Sequence, residues 1–190
     1  MVFVAGLGNP GQRYADTRHN VGFMVIERLA QRWHISLGDD VGGARTGVGR
    51  ISEQPVTLVE PQRYMNLSGE VVAPLRADGA ALIVVHDDVD VPCGQLRVKR
   101  GGGDGGHRGV ASIALCCGAE FDRVRVGVGR PSDGHDTSAH VLAPFGADEQ
   151  EVIGTAIERA ADAVEALLSE GLDAVMNRFN QRVPVAAPAK

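Results

Sequence analysis

The chain reads as a single α/β domain with a mixed central β-sheet flanked by helices on both faces. Short apolar runs of strand length alternate with segments of helical period, the pattern of a sheet covered by helices. A chain of 190 residues holds one ordinary domain with a proper core and falls short of two. A hydrophobic content of 44% is that of a globular protein rather than a disordered one. The catalytic domain is expected over residues 1–182. The Pro- and Ala-rich stretch 183–190 reads as a disordered C-terminal tail.

Val2–Ala5 is an apolar run that opens the chain as a strand. Asn20–Trp33 follows as a helix, with Val21, Met24, Val25 and Leu29 along one stripe. Gly47–Ile51 and Val56–Val59 are strand candidates, and Leu67–Ala77 is the second helix. Ala81–His86 is a continuous apolar run of the kind buried on both faces. Gln95–Lys99 and Val124–Val128 are strands on either side of a helix at Arg108–Cys117. Asp148–Ser169 carries the clearest helical stripe, from Val152 and Ile153 to Leu167 and Leu168, with acids in its first turn where the dipole favours them. No internal repeat is visible.

No run approaches the ~18 apolar residues that cross a bilayer, and no basic segment followed by an apolar one marks a signal peptide. The three cysteines, Cys93, Cys116 and Cys117, are odd in number and two are adjacent, a poor disulfide framework. A reduced, cytoplasmic setting is expected. The formal charge of −5 does not advertise a nucleic-acid binder. Arg97, Lys99, Arg100 and Arg108 nevertheless cluster against the single acid Asp104, and Arg123, Arg125 and Arg130 follow. A local basic patch on an acidic protein is the expectation.

The most informative stretch is Gly6–Gly22, GLGNPGQRYADTRHNVG, which joins the first strand to the first helix. Its opening fits the Gly-x-Gly-x-x-Gly dinucleotide fingerprint, but Pro10 lies inside the turn and the helix begins only near Asn20. The acid expected roughly 20 positions on could only be Glu27, inside that helix. A long polar loop of this kind presents side chains. His19 is its candidate base, since an unperturbed histidine titrates near pH ~6.5 and can take a proton from water. Asp87, just past an apolar strand, could orient that histidine; with Asp88 and Asp90 it could instead hold a hard cation. Asn9 could be a turn residue and Asn66 a helix cap, yet both amides also suit a peptide backbone or a developing oxyanion. Ser68 lies outside any Gly-x-Ser-x-Gly elbow, which argues against a serine triad.

Several blocks occur in a fixed order: GLGNPG with Y-x-x-T-R-H-N-x-G, then Tyr64–Gly69, His86–Asp90, the glycine run Gly101–Gly109, and Arg123–Gly129. Together they resemble the bacterial peptidyl-tRNA hydrolase family. The resemblance implies an enzyme, free of metal and organic cofactor, that hydrolyses the ester between peptide and tRNA and so recycles tRNA. It implies that His19 activates water, that Asp87 holds His19, and that Asn9 and Asn66 bind substrate near the ester. Met65 would line the apolar part of the cleft, with Tyr14 and Tyr64 nearby, while Lys99 and Arg125 would clamp a phosphate of the tRNA acceptor stem. A monomer is expected. The chain departs from the family at one position: the family's Gly-Gly-His-Asn-Gly reads Gly-Gly-His-Arg-Gly here, placing Arg108 where an asparagine helps position peptide and water. Arginine donates in a fixed fork and cannot accept. The alternative is a relative with weakened catalysis that acts as an RNA-binding protein.

Overall fold

Strand order in the central sheet follows from which strands can bury both faces. The computed structural model describes residues 1–40, 42–51, 53–76, 79–131 and 135–182. Six strands, β1 (Val2–Gly6), β2 (Ala44–Ile51), β3 (Gln54–Pro61), β4 (Ala81–Asp88), β5 (Leu96–Arg100) and β6 (Asp122–Gly127), form one sheet in the order β2-β3-β1-β4-β6-β5. The inner strands β3, β1, β4 and β6 run parallel, whereas β2 and β5 pair antiparallel at the two edges. The inner strands are accordingly the apolar ones. The tail expected over 183–190 lies outside the described residues.

Among the described residues there are six α-helices: α1 (Val21–Trp33), α2 (Ser68–Leu75), α3 (Arg108–Cys117), α4 (Thr137–Val141), α5 (Gln150–Ser169) and α6 (Leu172–Phe179). Alternation along β1 divides the core. Val2 and Val4 join the cluster made with α1, α5 and α6, while Phe3 and Ala5 join the cluster made with α2 and α3. Helices thus cover both faces, as the sequence predicts.

The acids of α5 are not simply solvated. Glu158 and Asp162 pair with Arg32 of α1, Glu158 also pairs with Arg28, and Glu165 Oε1 accepts from Trp33 Nε1 at 2.9 Å. At one sheet edge, Asn180 covers β5: its Oδ1 accepts from the Val98 N–H at 2.6 Å and its Nδ2 donates to the Val98 carbonyl at 3.0 Å. One side-chain amide thereby satisfies an edge position that would otherwise stay unpaired. At the other side, Glu60 of β3 is 1% exposed and takes a 2.9 Å hydrogen bond from Arg45, with its Oε1 left without a partner. Burial pushes its carboxyl up to about 7 against the opposing pull of Arg45.

The glycines of the dinucleotide-like turn serve packing. A Cβ on Gly6 would collide with the carbonyl of Gly22 in α1, and one on Gly8 would enter the Phe23 ring. Close approach of β1 to α1, not a pyrophosphate, explains both.

Candidate active site

The carboxyl ends of β1 and β4 and the loops that follow them converge on a cavity of about 540 Å³. This is the position at which open α/β sheets bind ligands. Asp87, next to last in β4, is 2% exposed. Its Oδ1 lies 2.8 Å from His19 Nδ1 and 2.9 Å from His107 Nε2. His19 arrives on a 3-10 turn, Arg18–Asn20, immediately before α1. His107 is the N-cap of α3, where its Nδ1 accepts from the N–H groups of Gly109 and Val110 at 3.1 and 3.2 Å.

That cap fixes the protons. Two backbone donors occupy the lone pair of His107 Nδ1, so the ring's proton sits on Nε2 and is donated to Asp87. His19 donates its Nδ1 proton to the same oxygen, which leaves its Nε2 lone pair for a water. Burial alone would raise the Asp87 pKa. The electrostatic pull of His107 and the N–H it donates, with the N–H of His19, outweigh it and hold the carboxyl well below the usual carboxylate range. His86, fully buried behind the site, donates from Nδ1 to the Asp87 carbonyl at 2.7 Å. Burial, then His107, pushes its pKa down to about 3, so it stays neutral.

His19, Asp87 and His107 bring three potential ligand atoms within 4.8 Å. Hydrogen bonding decides against a metal there, because His107 Nε2 carries a proton and has no lone pair to give. Nor do the three aspartates of β4 and its turn converge. Asp88 Oδ2 accepts from Arg125 Nε at 2.7 Å, and Asp90 Oδ1 accepts from Arg130 Nε at 2.8 Å.

Asn9 is neither free nor merely a turn residue. Its backbone N–H donates to Asn20 Oδ1 and its carbonyl accepts from Asn20 Nδ2, both at 2.9 Å. Its side-chain Oδ1 accepts from the Met65 N–H at 2.9 Å, which turns the Nδ2 donor toward the cavity. Asn66 lines the same cavity, is exposed, and caps nothing; Ser68 instead donates to the Met65 carbonyl at 2.7 Å. Met65 is buried with its sulfur against Gly109, and Tyr64, 56% exposed, stands at the rim. Arg108 also lines the cavity, as the first residue of α3.

Tyr14 is not brought to the cavity. Thr17 donates from both its N–H and its hydroxyl to the Tyr14 carbonyl, which turns the loop away, and the phenol hydroxyl takes a hydrogen bond from Arg13. Lys99 and Arg125 stand outside the cavity on β5 and β6, where Lys99 opposes Arg123 and Arg97 opposes Arg125. Four cations therefore share one face of this sheet edge. Burial and then the charges of Arg125 and Arg123 lower the Lys99 pKa.

Sequence reasoning missed three residues of this site. His107 appears in the glycine-run motif, but nothing local reveals that it caps α3. Arg123, 2% exposed, donates to the carbonyls of Gly103 and Gly102 at 2.7 Å each and so holds the glycine loop that walls the cavity. Arg18 does the same opposite, donating to the Pro144 carbonyl at 2.8 Å and pairing with Glu149 beyond α4. A buried arginine beside a motif residue is the only sequence signal either offers.

A histidine whose proton is held by a buried carboxylate, facing an amide-lined cavity at a sheet's carboxyl edge, defines a hydrolytic enzyme of the water-activating kind. The chain belongs to the peptidyl-tRNA hydrolase family, whose model matches residues 3–186. A peptidyl-tRNA hydrolase of Dehalococcoides mccartyi is 46% identical over 188 residues, spanning 95% of this chain and all of the relative. That of Bacillus subtilis is 44% identical over 188 residues, 96% of this chain and all of the relative. The crystal structure of peptidyl-tRNA hydrolase from Acinetobacter baumannii superposes with a TM-score of 0.90 at 37% identity, covering 97% of each chain. Among the described residues, no helix is long and apolar enough to cross a membrane.

Proposed function

We propose that this chain hydrolyses the ester between a peptide, or an N-blocked aminoacyl group, and the 3′ end of tRNA. The observation that carries the reading is the 2.8 Å contact of His19 Nδ1 with buried Asp87, at the wall of a cavity that also presents Asn9 and Asn66. Water bound at His19 Nε2 attacks the acyl carbonyl as the histidine takes its proton. Asp87 stabilises the imidazolium, the Asn9 Nδ2 donor meets the developing oxyanion, and the tRNA hydroxyl leaves with a proton returned from His19. Asn66 and Met65 hold the peptide. Lys99 and Arg125 take a phosphate of the acceptor stem, and the protein works as a cytoplasmic monomer.

A role as a non-catalytic RNA-binding relative is not favoured, because binding alone has no use for a histidine held in this tautomer. The reading is tested with N-acetyl-aminoacyl-tRNA in the presence of a chelator. Release of the N-acetyl-aminoacyl group, with free aminoacyl-tRNA left intact, supports it. No release while tRNA still binds would return the argument to the RNA-binding alternative.

A further inference from the structure

Arg108 stands out among the charged groups of the cavity. Each carboxylate that lines it has a partner: Asp87 holds two histidines, Asp88 pairs with Arg125, Asp104 accepts from the Gly106 N–H, and Asp136 accepts from the Ser138 and Ala139 N–H groups. Arg108 is the cavity's one lysine or arginine among the described residues, and it is exposed with neither hydrogen bond nor ion pair. The acids near it are already satisfied, so the guanidinium is available to an anion from outside. The helix end beneath it is not the anion site, since His107 Nδ1 already takes the Gly109 and Val110 N–H groups.

The geometry points to Arg108 as a substrate-positioning residue that binds the 5′ phosphate of the terminal nucleotide; this rests on the activity proposed above. The acyl ester hangs from the ribose of that nucleotide, and the same ribose carries the phosphate, so every substrate brings this anion close to the scissile bond. Peptides supply an acidic side chain only occasionally. A guanidinium fork matches a phosphate bidentately. Arg108 follows His107, whose Nε2 is 2.9 Å from the carboxylate that holds the base, so a phosphate anchored here registers the ribose against His19.

The test measures binding of 3′-(N-acetylalanylamino)-3′-deoxyadenosine, whose amide is not an ester substrate, with and without a 5′ phosphate, to the full chain and to Arg108→Met and Arg108→Lys. The wild type should bind the phosphorylated probe roughly tenfold or more tightly than the other, as expected for one charge-assisted pair. Methionine should bring the ratio near one, and lysine should keep part of it. A wild-type ratio near one, or a ratio that survives Arg108→Met, overturns the proposal. So does a preference for an N-acetylglutamyl over an N-acetylalanyl probe that disappears with Arg108→Met, which would put the arginine on the peptide. Hydrolysis of N-acetyl-aminoacyl-tRNA, assayed alongside, separates the two readings. Turnover without phosphate preference removes only the Arg108 contact, whereas absence of turnover removes the activity itself.

Discussion

Asp87→Asn is the substitution whose effect the geometry fixes most closely. When His19 takes a proton from water, its Nδ1, still donating, lies 2.8 Å from Asp87 Oδ1. At an effective dielectric of about 20, a charge pair at that distance is worth about 6 kcal/mol. Asparagine keeps a neutral acceptor for the two histidine N–H groups, worth about 1 kcal/mol, but no charge to answer the imidazolium. The net loss of about 4–5 kcal/mol corresponds to a fall in kcat of about 10³–10⁴. Neither histidine needs to move, because His107 remains fixed by its cap on α3. KM for N-acetyl-aminoacyl-tRNA should therefore change little. The assay is steady-state release of N-acetylated amino acid, with near-native thermal unfolding as a folding control. A kcat within tenfold of wild type would refute the role of Asp87 as the charge that supports His19.

Glu60→Gln tests the buried acid of β3. Since its carboxyl rises from 4.5 to about 7 on folding, wild-type stability is fully present below pH 4.5 and is lost as pH rises through 7, a change of about 3 kcal/mol. Glutamine should unfold about 6–12 °C higher than wild type at pH 8 and nearly level with it at pH 4, whereas a pH-independent difference would contradict the assignment. Arg123→Met frees the carbonyls of Gly102 and Gly103, so limited proteolysis should map to residues 101–106 and urea stability should drop by roughly 2–4 kcal/mol; an unchanged cleavage map would exclude the anchoring role. Asn180→Ala uncovers β5, and hydrogen exchange should show the Val98 amide losing protection while Val124, inside the sheet, keeps it.

Much of the scaffold was legible because periodicity reports burial. All six strands lie where apolar runs predicted them, with ends moved by up to three residues, as where β2 begins at Ala44 rather than Gly47. α4 and α6 were not foreseen. α4 is a single short turn started by Asp136, and α6 is set off from α5 by Glu170 and Gly171, the latter's φ of 84° breaking the helix. Of the site, His19, Asp87, Asn9, Asn66, Tyr64, Met65 and Arg108 do meet at one cavity. Tyr14 does not, for its loop is turned by Thr17, a contact invisible in the motif. The same limit hid His107, Arg123 and Arg18. Arg123 and Arg18 act through backbone groups distant in sequence and His107 through the distant Asp87 carboxylate, and spacing along the chain says nothing about those.

In the proposed reaction His19, held by Asp87, activates the water that cleaves the ester. Single-turnover hydrolysis of N-acetyl-aminoacyl-tRNA by saturating wild type and His19→Ala, with tRNA binding measured in parallel, tests it most directly. The rate should be lower by about 10² or more in the variant, the usual contribution of a general base, at similar tRNA affinity. Cleavage by His19→Ala at the wild-type rate would contradict it.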